Sequence, residues 1–101
     1  MQFKDIPVPT NFKHQPKESI VFADAHIRTA YIKYVSTGFV RMDDVIEFYE
    51  KQMPLHGWEK NFERPEGWQT TIFFTKKHEE CEVVIDKSGD KIDLIIEISA
   101  D

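Results

Sequence analysis

The last third of the chain alternates apolar and polar residues with a period of two, and this constrains the fold more than any other feature. Trp68, Thr70, Ile72 and Phe74 share one side of a strand, opposite Gln69, Thr71, Phe73 and Thr75. Cys81, Val83 and Ile85 stand against Glu82, Val84 and Asp86, and Ile92, Leu94, Ile96 and Ile98 against Asp93, Ile95, Glu97 and Ser99. The links Lys76–Glu80 and Lys87–Asp90 are short, and Ser88-Gly89 suits a tight turn. Short links between strands demand antiparallel neighbours, so the three strands make consecutive hairpins.

Upstream, the apolar run Ile20-Val21-Phe22-Ala23 and the segment Arg28–Ser36 read as a further strand pair around the break Asp24-Ala25-His26. Residues 42–56 change period. Met42, Val45, Ile46, Tyr49 and Met53 recur at helical spacing, Asp43 and Asp44 suit the first turn, and Gly57 suits the residue past the end. Pro54 denies the Glu50 carbonyl a hydrogen bond, which predicts a loosened last turn or a stop near Met53. Trp58–Arg64 reads as a strand and Pro65-Glu66-Gly67 as a turn. The order is therefore β-β-α-β-β-β-β. The expected fold is α+β, a two-layer sandwich with one helix packed on an antiparallel sheet.

Residues 1–18, with Pro7, Pro9 and Pro16, read as an extended arm whose Phe3, Ile6, Val8 and Phe12 strap it to the body; residues 19–101 read as a single domain. One domain is what 101 residues allow, and 41% hydrophobic residues exclude a disordered chain. A net charge of −5 argues against a general nucleic-acid partner, which needs a basic footprint. The single cysteine excludes an internal disulfide. No apolar run is long enough for a transmembrane segment, and Met1 to Ser19 shows no leader. The expected location is cytoplasmic for the sequence as it stands, or the envelope if a leader has been removed.

Little here points to catalysis. Cys81 alternates in register with Val83 and Ile85 and reads as a small core hydrophobe. His78-Glu79-Glu80-Cys81 carries metal-capable atoms, but strand alternation scatters them and no ligand spacing is present. His14, His26 and His56 stand apart from any local nucleophile; His56 suits the negative end of the helix dipole. No glycine-rich phosphate loop appears, so no catalytic residue, cofactor or metal site is expected.

Two features point to contacts instead. Before Met42, basic Lys4, Lys13, Lys17, Arg28, Lys33 and Arg41 outnumber Asp5, Glu18 and Asp24, so the remainder is more acidic than the whole chain. The outer sheet face also places one large apolar residue on each of three strands: Phe73, Val84 and Ile95. Val84 is expected opposite Thr71 and diagonal to Phe73, with Ile95 diagonal to Val84. An apolar strip facing water marks a contact surface unless the arm, through Phe3 or Phe12, covers it. The expected function is a non-enzymatic protein-interaction module, with a protein partner or self-association through the outer face or a sheet edge. The alternative is a small-ligand or catalytic domain whose shallow site is lined by Trp58, Trp68, Tyr31 and Tyr34.

The segment Val45–Trp58 and the stretch Ile6-Pro7-Val8-Pro9 also carry a likeness. They resemble a family of small uncharacterised bacterial proteins, often exported or lipid-anchored, in which an N-terminal I-P-x-P stretch and a strand pair precede a helix ending F-Y-x3-M-P-x2-G-W. The resemblance implies an envelope location and no activity. The same motif has a structural reading, in which Phe48, Tyr49 and Met53 pack, Gly57 turns the chain and Trp58 caps the core.

Overall fold

Tight turns set the architecture. Gly89 adopts φ +63°, a conformation that costs glycine little, and Gly89-Asp90 joins two ten-residue strands in strict register from Ser88↔Lys91 to Glu79↔Ala100. Gly67-Trp68 and Lys77-His78 make the two preceding hairpins in the same way. The computed structural model describes residues 3–24 and 26–100. Met1, Gln2, Ala25 and Asp101 lie outside the described residues, and with them the tips of the expected arm, hairpin turn and domain end.

The described chain holds strands β1 (Phe12–His14), β2 (Ile20–Ala23), β3 (Arg28–Ser36), β4 (Glu59–Glu66), β5 (Gln69–Lys76), β6 (Glu79–Ser88) and β7 (Lys91–Ala100). Helix α1 (Met42–Leu55) lies between β3 and β4. The fold is α+β, with one α-helix and a seven-stranded antiparallel sheet. The sheet runs β1-β3-β7-β6-β5-β4, with β2 also paired to β3.

The strand order gains one member over the expected β-β-α-β-β-β-β. Phe12–His14, within the proline-containing stretch, pairs with Tyr34–Ser36 as β1. A short 3-10 turn at Pro16–Glu18 then brings the chain to β2. The arm is also packed: Ile6 is buried, and Phe3, Val8 and Phe12 lie against the core.

The core occupies one face of the sheet. Val45, Tyr49 and Met53 of α1 meet Ile32, Tyr34, Ile72, Phe74, Cys81, Val83, Ile85, Leu94, Ile96 and Ile98 in one cluster closed by Trp58. Helix α1 lies against β4 and β6. Pro54 sits inside the last turn, and the helix runs on to Leu55 rather than stopping at Met53. Nδ1 of His56 donates to the Gln52 carbonyl at 2.9 Å, satisfying one of the open acceptors at the helix end.

One residue leaves its expected place. Trp68 belongs to the β4–β5 turn and is 74% exposed instead of sharing the core face of Thr70, Ile72 and Phe74. The two-residue connection uses it, so the alternation starts one residue later, at Gln69.

Candidate interaction surface

The register fixes which residues share the outer face. One row crosses the sheet as Arg64, Thr71, Val84, Ile95 and Lys33; the next as Phe62, Phe73, Glu82, Glu97, Tyr31 and Ile20. Phe73, Val84 and Ile95 therefore do share this face, and each is half-buried. Val84 lies opposite Thr71 as expected, but Ile95 pairs directly with Val84 and not on the diagonal. The two-residue turn at Gly89-Asp90 is the cause, because it fixes the register.

The arm does not cover this strip. Phe3 and Phe12 pack on the opposite, core-facing side. Phe73 is covered by its own edge of the sheet: Phe62 stacks on it with centroids 4.2 Å apart, and the Arg64 guanidinium lies 5.2 Å from its centroid. That packing engages Phe73 with its own edge of the sheet.

Beyond the strip, the face is acidic. Glu80, Glu82 and Asp86 of β6 and Asp93 and Glu97 of β7 all point outward, with Glu82 opposite Glu97 and Asp86 opposite Asp93. Like charges directly across a ladder repel. Partial burial, then Glu82 beside it, raises the Glu97 carboxyl above its ordinary pKa. Beside this pair a groove of about 300 Å³ crosses β2, β3, β7 and β6, lined among others by Ile20, Phe22, Tyr31, Glu82 and Glu97. Ile20 is 75% and Phe22 61% exposed. The sequence shows each of these residues on a strand, but not their convergence, which depends on β7 inserting between β3 and β6.

The two edges of the sheet differ. Edge β4 carries Lys60, Glu63, Arg64 and Pro65 and an irregular register between Lys60 and Phe62. Lys60 is held by Glu50 at 2.6 Å and Glu63 at 3.0 Å. Charge, proline and a bulge are the usual devices that stop an edge pairing with another chain. Edge β2 has none of them. It reads Ile-Val-Phe-Ala and is paired on one side only, to β3.

At the start of β3, beside the end of β2, an ionic latch ties down the arm. Arg28 donates to both carboxylate oxygens of Asp5 and, through Nε and Nη2, to Glu79 at 2.6 and 2.9 Å. Lys76 reaches Asp5 at 2.8 Å and the His56 carbonyl at 2.9 Å, while the Trp58 indole donates to the Asp5 carbonyl at 2.9 Å. The Arg28 guanidinium, with Lys76 behind it, holds the Asp5 carboxyl far below the usual carboxylate range. All members are paired, so the cluster is structural.

The four aromatics of the alternative site do not converge. Trp58 and Tyr34 are in the core; Trp68 flanks a surface notch with Lys87 and Gly89, and Tyr31 lines the groove at β2. Cys81 is fully buried, and burial pushes its thiol up to about 12. Among the described residues no group of three or more His, Cys, Asp or Glu is placed to hold a metal, and no helix is long and apolar enough to cross a membrane.

No curated protein and no solved structure matches the chain significantly. The family model described as START domain-like matches residues 41–91, from the start of α1 to the head of β7. That segment is just over half of the sequence, and the chain belongs to the START domain-like family.

Proposed function

We propose that this chain is a non-enzymatic protein-interaction module, a two-layer domain that closes one sheet face with α1 and receives an extended partner segment on β2. The observation that carries the reading is the contrast between the two edges. The same sheet guards β4 with charge, proline and a bulge, and leaves β2 apolar and open. An extended segment added to such an edge gains a backbone hydrogen-bond ladder, and its alternate side chains reach the adjoining face. Strands β2 and β3 lie outside the segment matched by the family, so the proposal rests on this chain's own residues. An envelope location for such a module rests on the likeness of Val45–Trp58 alone.

Amide chemical shifts of the isotope-labelled full chain test the reading directly. A blocked heptapeptide of alternating threonine and valine is the probe. Shifts are expected at Ile20–Ala23 and the facing residues of β3, with β4 unmoved. Shifts along β4, or none anywhere, overturn it.

A further inference from the structure

The open edge and the acidic groove adjoin, and together they select the chemistry of the partner. Ile20 and Phe22 belong to both. They are the outward-facing residues of β2 and the apolar wall of the groove whose far end is Glu82 and Glu97. Between them lies Tyr31, 39% exposed and directly in line with Glu97 on one side and Ile20 on the other. The row therefore passes from exposed Ile20, with Phe22 alongside it, over an aromatic ring to a pair of carboxylates.

Among the described residues Glu82 and Glu97 make no ion pair, and the cations of the neighbouring row are engaged elsewhere. Lys33, in the neighbouring row, is bound to Glu18 at 3.0 Å, and Arg64 lies over Phe73 at the far edge. A second copy of the chain is a poor occupant, because Ile20–Ala23 offers no cation. Complementarity calls for a positive group delivered from the β2 side.

We infer that the partner segment seated on β2 carries an arginine whose side chain lies across Tyr31 and pairs with Glu97, the nearer of the two facing carboxylates. This rests on the strand-addition reading above and adds the identity of the side chain that gives it specificity. The reach is sufficient. An added strand lies three strand spacings from β7, about 14 Å. An extended arginine and an extended glutamate meeting through a hydrogen bond of about 2.9 Å span that distance. Arginine fits better than lysine because its planar guanidinium stacks on aromatic rings and binds carboxylates through two donors.

The test compares two blocked heptapeptides, threonine alternating with valine, arginine and valine, or with citrulline in place of arginine. Citrulline keeps the shape and removes the charge. Affinities are read from amide shifts of the full chain and of its Glu82→Gln/Glu97→Gln variant, which loses a repulsive pair and should fold at least as well. The arginine peptide is expected to bind the native chain roughly tenfold more tightly than the citrulline peptide, with the difference abolished in the variant. Equal affinity of the two peptides for the native chain, with shifts at Ile20–Ala23, overturns the arginine assignment while strand addition stands. Absence of shifts at β2 with either peptide overturns both. A preference for arginine that persists in the variant also overturns the assignment, since the carboxylates would not be its source.

Discussion

Arg28 grips Asp5 through two parallel hydrogen bonds, Nη1 to Oδ1 at 2.9 Å and Nη2 to Oδ2 at 2.6 Å, across 23 residues of sequence. The pair fastens the N-terminal segment to the start of β3, and Phe3 lies with its ring centroid 4.8 Å from the same guanidinium. Because Asp5 keeps its charge in the folded chain to well below its ordinary value of 3.8, the folded state binds this proton more weakly than the unfolded state does. Its stabilisation is therefore full above that value and is lost as the pH falls below it. Thermal melts from pH 7 to pH 2 should show a decline that is shallower in Asp5→Asn. That variant should already be about 1–3 kcal/mol less stable at pH 7, from the lost charge-assisted bonds. A variant with the native acid profile would remove Asp5 as its source.

Tyr49 is fully buried between α1 and the sheet, and its hydroxyl has no hydrogen-bond partner among the described residues. A buried donor left unmade costs about 1–3 kcal/mol, so Tyr49→Phe should fold with equal or greater stability. Chemical denaturation of the two proteins checks this. A loss above about 1 kcal/mol would mean that the hydroxyl is satisfied.

Gly57 turns the chain out of α1 at φ +90°, and a β-carbon there would sit 3.2 Å from Cε of Lys76, a member of the latch. Gly57→Ala meets both the backbone strain and this crowding. It should cost about 1–2 kcal/mol in a denaturant melt.

Phe73 separates packing from contact on the outer face. Its ring stacks on Phe62 and lies close to the Arg64 guanidinium, so Phe73→Lys should lower the melting temperature by several degrees, on the order of 1–2 kcal/mol. Unchanged stability in a thermal melt would instead return Phe73 to the contact surface.

How far the sequence reveals this molecule depends on the range of the interactions involved. The stripe Val45, Tyr49 and Met53 and the alternation along β6 and β7 are local, and they were legible. Trp68 continues the alternation of the neighbouring strand in sequence, and only the two-residue turn at Gly67 removes it from the sheet face. Strand β1 is three residues between two prolines, too short to show a period. The latch joins Asp5, Arg28, Lys76 and Glu79 from distant parts of the chain, and no spacing rule announces such a cluster. The openness of β2 is of the same kind. Its apolar run is plain in the sequence, but its place at an edge follows from β3 pairing with β7.

In the proposed function β2 receives the partner, and guarding that edge tests the claim most directly. Ile20 and Phe22 are largely exposed, so Ile20→Lys/Phe22→Lys should leave the melting temperature within a few degrees of the native value. The measurement is binding of the neutral threonine–valine heptapeptide to both proteins, read from the amide shifts of β3. The native chain should bind and the lysine variant should not, because charge on an edge strand blocks strand addition. Equal binding by a folded variant would contradict the claim.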